Sequence, residues 1–214
     1  MKKLESTLTN MVLVLTVVAV VMGAILAFVN HLTEVAIAQQ KEKALADGIK
    51  TVMACSNLVV AKTDEVKQTD SNGKEQTFTV YQVSDTEGQD LGAAVESTTM
   101  GFGGNLKVLV GFNPQGAVLG YTLLEHAETP GLGAKADKWF QKGEKGDIIG
   151  LLPSEPLTVS KDGGQIDAIT ASTITSRAFL LAVNNAYNAY KGVPSADAAS
   201  GATKQGNNHK KTKL

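Results

Sequence analysis

The chain has 214 residues with 20 basic and 21 acidic side chains, a formal net charge of −1, so it offers no electrostatic footprint for nucleic acid or another polyanion. Its single cysteine, Cys55, excludes an internal disulfide and a thiolate-ligated iron–sulfur cluster, which takes about four. Without a C-x-x-C-H for attached haem, and with His31, His126 and His209 far apart in sequence, a metal site is not expected and any redox work must rest on an organic cofactor.

No charged residue occurs between Ser6 and Asn30, and Met11–Val29 (MVLVLTVVAVVMGAILAFV) is a nearly unbroken apolar run. At ~1.5 Å per residue it spans about 28 Å, the thickness of a bilayer core. A soluble helix of that length would show a polar face, so the run reads as a transmembrane helix. A cleaved signal peptide is the competing reading, with Lys2 and Lys3 as the basic start and Ala36-Ile37-Ala38 as a cleavage site. The apolar run exceeds the ~7–15 residues of a signal peptide, which favours an uncleaved anchor. The positive-inside rule sets Lys2, Lys3 and the terminal amine against Lys41 and Lys43, and places the N terminus in the cytoplasm and the rest of the chain outside it.

Glu34–Ala54 is rich in helix formers and continues as a helical stalk. Asp64–Gln76 is polar and contains Ser71-Asn72-Gly73, a turn signal. Thr77–Val83 alternates β-branched and aromatic residues and reads as a strand. Leu106–Phe112 and Ala117–Leu124 flank Asn113-Pro114-Gln115-Gly116, a hairpin signal. A loop over His126–Ala136 leads to a short amphipathic stretch, Asp137–Gln141, and Leu157–Val159 reads as a further strand. The last helix is Ile174–Tyr190, with Phe179, Val183, Ala186 and Tyr190 on one face. Beyond Gly192 the composition is that of a solvated tail. The pattern predicts an α+β domain, a small antiparallel sheet packed by helices, behind an N-terminal membrane helix.

Two stretches carry candidate chemistry. In ETPGLGAK (Glu128–Lys135), Pro130 fixes φ, while Gly131 and Gly133 tolerate positive φ and let a flat ligand approach the backbone. Leu132 offers an apolar surface, and Glu128 and Thr129 an acceptor and a donor. A plain turn is the alternative reading. His126 reads as a partly buried polar residue. In DAITASTITSRAF (167–179), hydroxyls at Thr170, Ser172, Thr173, Thr175 and Ser176 crowd a helix start. Capping by Thr170 or Ser172 explains one of them. The cluster points to a phosphate site, where free N–H groups and the helix dipole favour an anion. Arg177 is either a further anion ligand or a solvated cation. Neither a P-loop lysine nor G-x-G-x-x-G is present, which disfavours a free nucleotide. The tail offers a second copy of the Asp-to-Thr step, DAASGAT (197–203).

Together GFGGNLKVLVGF, HAETPGLGAK, DAITASTITSRA and the N-terminal anchor resemble the FMN-binding subunits of ion-translocating redox complexes, RnfG and its relative NqrC. The resemblance implies FMN held as a phosphoester on the threonine that ends a D-x-x-S-G-A-T motif, installed by a separate flavin transferase from FAD. On this chain Asp167, Thr170, Ala171, Ser172 and Thr173 match the motif positions, with Ala171 and Ser172 standing where the motif has Gly and Ala. Thr203 of the tail copy matches it fully and is the alternative acceptor. Glu128, Thr129, Gly131, Leu132 and Gly133 would line the isoalloxazine, with the Gly101–Gly104 loop nearby.

The division that follows is 1–10 as a short cytoplasmic segment, 11–30 as the membrane helix, 31–76 as helical stalk and linker, 77–191 as the extracytoplasmic FMN-binding domain and 192–214 as a flexible polar tail. The implied function is an electron carrier in a membrane-bound, ion-translocating ferredoxin:NAD oxidoreductase, with the other subunits and the flavin transferase as partners and no catalysis alone. The implied location is the cell inner membrane, with the domain on the periplasmic side. A cofactor-free scaffold and an extracytoplasmic flavin reductase are the alternatives.

Overall fold

A computed structural model describes residues 8–69 and 75–192. The Ser71-Asn72-Gly73 turn signal and the tail copy ending at Thr203 lie outside the described residues. The chain divides into two compact units, Met1–Leu45 and Ala46–Leu214. Helix α1, Leu8–Val52, supplies all of what is described in the first. It is the one helix among the described residues that is long and apolar enough to cross a membrane, and its large apolar residues from Leu8 to Ile37 are exposed. Thr16 donates its hydroxyl to the Val12 carbonyl at 2.8 Å, so the run's one polar side chain is satisfied within the helix.

The second unit is built on a five-stranded antiparallel meander in sequential order, β1 (Leu58–Thr69), β2 (Glu75–Asp85), β3 (Asp90–Met100), β4 (Asn105–Phe112) and β5 (Val118–Glu125). The expected hairpin is β4–β5. Asn113 closes its turn twice, accepting Gly116 N–H at its carbonyl (2.8 Å) and Ala117 N–H at Oδ1 (2.8 Å). Two strands were not anticipated. Leu58–Thr69, read as stalk and polar linker, pairs with β2 along its length and forms a sheet edge. β3 is Ala-, Ser- and Thr-rich, yet Ala93, Ala94 and Val95 are fully buried between β2 and β4. Leu157–Val159 is not a strand; Val159 makes only a single parallel bridge to Ile166.

Helix α3 (Thr173–Lys191) covers one face of the sheet, against β3 and β4. Thr99 of β3 donates to the Ala178 carbonyl at 2.9 Å in the buried interface. Phe179 stacks on Phe140 with ring centroids 4.2 Å apart and meets Tyr121 edge-on at 4.7 Å. The Tyr121 hydroxyl in turn donates to the Ala136 carbonyl (2.7 Å) and accepts Phe140 N–H (3.1 Å). This fixes the short helix α2 (Ala136–Trp139) beside the start of α3. Burying Phe179 and its neighbours supplies the main stabilisation here; truncating such a ring costs about 3–5 kcal/mol.

The last turns of α1 lie on the other face. Gly111 and Gly120 are cross-strand partners in β4 and β5, and a Cβ on either would collide with the Val52 backbone. Two adjacent glycines therefore make the flat spot on which the helix ends.

Candidate functional site

Two tight turns frame the site. In the first, Thr129-Pro130-Gly131-Leu132, the Leu132 N–H donates to the Thr129 carbonyl at 3.1 Å and Gly131 has φ +76°. Proline second and a positive-φ glycine third are the residues that a type II turn demands. In the second, Ile169-Thr170-Ala171-Ser172, the Ser172 N–H donates to the Ile169 carbonyl at 3.0 Å, and Ala171 occupies the third position with φ +62°. An alanine there carries a strain of about 1–2 kcal/mol that glycine would not. The motif's glycine position thus coincides with a left-handed residue.

Between these turns lies a cleft of about 370 Å³ lined by Phe102, Glu128, Thr129, Leu132, Gly133 and residues Ala171 to Thr175. Stretches some forty residues apart in sequence therefore share one cavity. Of the expected site residues, Glu128, Thr129, Leu132, Gly133, Ala171, Ser172 and Thr173 are on its wall. Gly131 stays at its turn, beside the hollow next to Trp139. Thr170 is exposed at the second turn. Asp167 is exposed too and faces Ser160, whose hydroxyl donates to Oδ1 at 3.3 Å.

Glu128, expected as a ligand acceptor, already accepts three hydrogen bonds from the protein itself. It is only 6% exposed. Its Oε1 accepts the N–H groups of Phe102 (2.8 Å) and Gly103 (3.2 Å), and its Oε2 accepts the Thr175 hydroxyl (2.7 Å). One carboxylate thus ties the β3–β4 loop, the 128–133 turn and the first turn of α3 together. The glycines of both motifs follow from it. A Cβ on Gly101 would collide with Oε1, and one on Gly133 with Oε2 and, at 2.8 Å, with Thr175 Oγ1. The space that those side chains would fill is occupied by Glu128.

The hydroxyl cluster at α3 is also sorted. Ser172 is the N-cap residue but makes no side-chain capping bond, so the capping expected of Thr170 or Ser172 is absent. Ser176 donates to the Ser172 carbonyl (3.0 Å) and accepts Ile169 N–H (2.9 Å). Thr175 is taken by Glu128. Thr173, partly exposed on the cleft wall, accepts a hydrogen bond from Lys161 Nζ at 3.1 Å. Lys161 stands twelve residues earlier in a 3-10 turn, Ser160–Asp162. No sequence pattern linked the two, because only the fold of the 160–166 loop brings them together. Arg177, considered as an anion ligand, is committed elsewhere. It forms a bidentate pair with Asp162 at 2.7 and 2.8 Å, which raises its pKa further.

These features suit a flavin phosphate. Apolar Phe102, Leu132 and Ile174 border the cleft, Phe102 and Leu132 being 69% and 40% exposed. The start of α3, free of a side-chain cap, has N–H groups that the helix itself does not use. A lysine stands at the hydroxyl that begins it. Among the described residues no cluster of His, Cys, Asp and Glu could hold a metal.

A domain of this build, with both motifs meeting at one helix start, is an FMN-binding domain: residues 101–188 match that family's model, described as FMN-binding domain. Residues 1–52 match a second model, the RnfG N-terminal region. The G subunit of the ion-translocating oxidoreductase complex from Aliivibrio fischeri is 34% identical over 194 residues, covering 87% of this chain and 91% of the relative. The G subunits from Shewanella baltica (32% identical, 80% of this chain and 84% of the relative) and Vibrio cholerae (34%, 81% and 86%) are similar. The chain belongs to the RnfG family, the G subunits of ion-translocating oxidoreductase complexes.

Proposed function

We propose that this chain is the FMN-carrying, electron-relaying component of a membrane-bound ion-translocating oxidoreductase of the ferredoxin:NAD type, with the flavin held through its phosphate on Thr173. The observation that carries the reading is the meeting of the 128–133 turn and Thr173 in one cleft, with Lys161 at the Thr173 hydroxyl. FMN, when bound, supplies the electron-accepting and electron-donating chemistry. The chain's own residues would hold it: the start of α3 and Lys161 would receive the phosphate, and Leu132, Phe102 and Thr129 on the cleft wall would receive the ring. Glu128 keeps the three wall segments in register, and α1 tethers the domain to the membrane. Asp167, outside the cleft on an exposed loop, would meet the flavin transferase rather than the bound flavin. Attachment through the phosphate leaves the ring's redox chemistry unaltered. We place the domain on the periplasmic face, where a covalent link prevents loss of the cofactor, and the other subunits of the complex beside α1.

The test is peptide mass analysis of the chain made with its own flavin transferase. The Thr173 peptide is expected to gain the mass of FMN less water. Gain on the Thr203 peptide alone would move the acceptor to the tail, whose DAASGAT is the complete motif. No gain on either, with colourless protein, would leave a cofactor-free scaffold.

A further inference from the structure

Among the described residues, Lys161 is the one cation hydrogen-bonded to the Thr173 hydroxyl, and it is held there by more than its own side chain. Its turn is pinned on three sides. Asp162, the next residue, is clamped by Arg177, which lies one helical turn after Thr173. Both side chains of that pair are largely buried, 18% and 9% exposed. Ser160 N–H donates to the Ile166 carbonyl at 2.8 Å beside the Val159–Ile166 bridge. Gly163, at φ +89°, turns the chain back, and Gly164 packs so tightly on Thr158 that no Cβ fits. The backbone that carries Lys161 is thus fixed to the helix that carries Thr173.

We propose that Lys161 is the acceptor-side cation of flavin attachment, fixed by the Asp162–Arg177 clamp; the inference rests on Thr173 being the flavin-bearing residue. In the transfer, Thr173 Oγ forms a bond to the phosphorus of the FMN half of a flavin adenine dinucleotide. The pyrophosphate P–O bond breaks, AMP leaves, and the threonine proton passes to the transferase or to solvent; nothing is oxidised or reduced. An ammonium N–H at Oγ1 favours the alkoxide over the hydroxyl as that proton leaves. Afterwards the same ammonium faces the anionic phosphodiester, where it shares the charge with the N–H groups of the α3 start. Threonine is a weak nucleophile, and among the described residues no histidine is hydrogen-bonded to it, so a fixed cation is the activation that the described part of the chain can supply.

The experiment compares full-length wild type, Lys161→Ala and Lys161→Arg, each incubated with limiting flavin transferase and FAD. Initial rates of FMN gain on the Thr173 peptide are read by mass spectrometry, and the unflavinylated proteins are melted in parallel. Lys161→Ala is expected to slow attachment about tenfold or more, the effect of losing one hydrogen bond to a charged group. Lys161→Arg should recover most of the rate, and all three should melt alike, since Lys161 is exposed. Attachment to Thr173 at the wild-type rate in Lys161→Ala overturns this inference alone. Wild-type protein flavinylated only on Thr203 overturns it together with the reading on which it rests.

Discussion

Removing the Glu128 carboxylate should unlock the cleft, and the cost can be worked from its partners. Three hydrogen bonds end on this charged group, each worth about 1.5–3 kcal/mol. The Phe102 and Gly103 N–H groups belong to an exposed loop and regain water when the carboxylate goes. Thr175 is 1% exposed and does not. Glu128→Ala should therefore cost about 3–4 kcal/mol, which at this chain length lowers the melting midpoint by roughly 10 °C. Glu128→Gln keeps an acceptor for the two N–H groups and offers its amide to the Thr175 oxygen, so its cost should be about 1 kcal/mol. The diagnostic partner is Gly101→Ala, whose Cβ would strike Oε1 but otherwise has Gly104 O as nearest neighbour at 3.2 Å. In wild type this overpacking should cost about 2 kcal/mol, and in the Glu128→Ala background less than about 1 kcal/mol. Thermal melts of the four full-length proteins in detergent, followed by circular dichroism, complete the cycle. Equal costs of Gly101→Ala in both backgrounds, or a Glu128→Ala loss below about 0.5 kcal/mol, would refute the lock.

Further outcomes concern strain and burial. Ala171→Gly should stabilise the chain by about 0.5–1 kcal/mol, since relief of the left-handed alanine exceeds the added unfolded-state entropy; an unchanged or lower melting midpoint would contradict it. Burial pushes the Tyr121 phenol well above its ordinary range near 10, and Tyr81 and Tyr190 are raised in the same sense. Above pH ~10 the unfolded chain loses these protons while the folded chain keeps them, so stability falls as pH rises, by up to about 1.4 kcal/mol per pH unit for the buried Tyr121 phenol and by less for the more exposed Tyr81 and Tyr190. Tyr121→Phe should flatten part of that slope, while costing about 2 kcal/mol at neutral pH because Ala136 O and Phe140 N lose their partner. Denaturant titrations between pH ~8 and ~11 measure both, and an undiminished slope in the variant would count against the buried phenol.

The parts of the fold that were legible in the sequence are those whose side chains face one apolar and one polar environment. The β4–β5 hairpin and α3 have strong periods and, at the hairpin, a decisive turn. β1 was missed because its alternation is broken by Lys62, Asp64, Glu65 and Lys67, charges that an edge strand carries against unwanted pairing. β3 was missed for the opposite reason. Flanked on both sides and covered by α3, it needs small residues, and Ala93-Ala94 announces neither period nor strand propensity. At the site, the motifs named the two walls, but not what joins them. The positions of Glu128 and Lys161 depend on partners 25 to 47 and 12 residues away, and no local pattern encodes such pairings. The departure at Ala171 was visible as a substitution; that it falls on a left-handed backbone was not.

The meander also dictates an order of events during synthesis. Each strand pairs with its predecessor across a short connection, so the sheet can be completed before α3 has emerged. Until then Val95, Val108, Val110 and Phe112 lack the helix that packs against β3 and β4. The C-terminal helix is thus the lid of the core and the bearer of Thr173 at once: a chain that stops short of it presents an apolar sheet face, and the proposed flavin acceptor arrives only with the piece that covers that face.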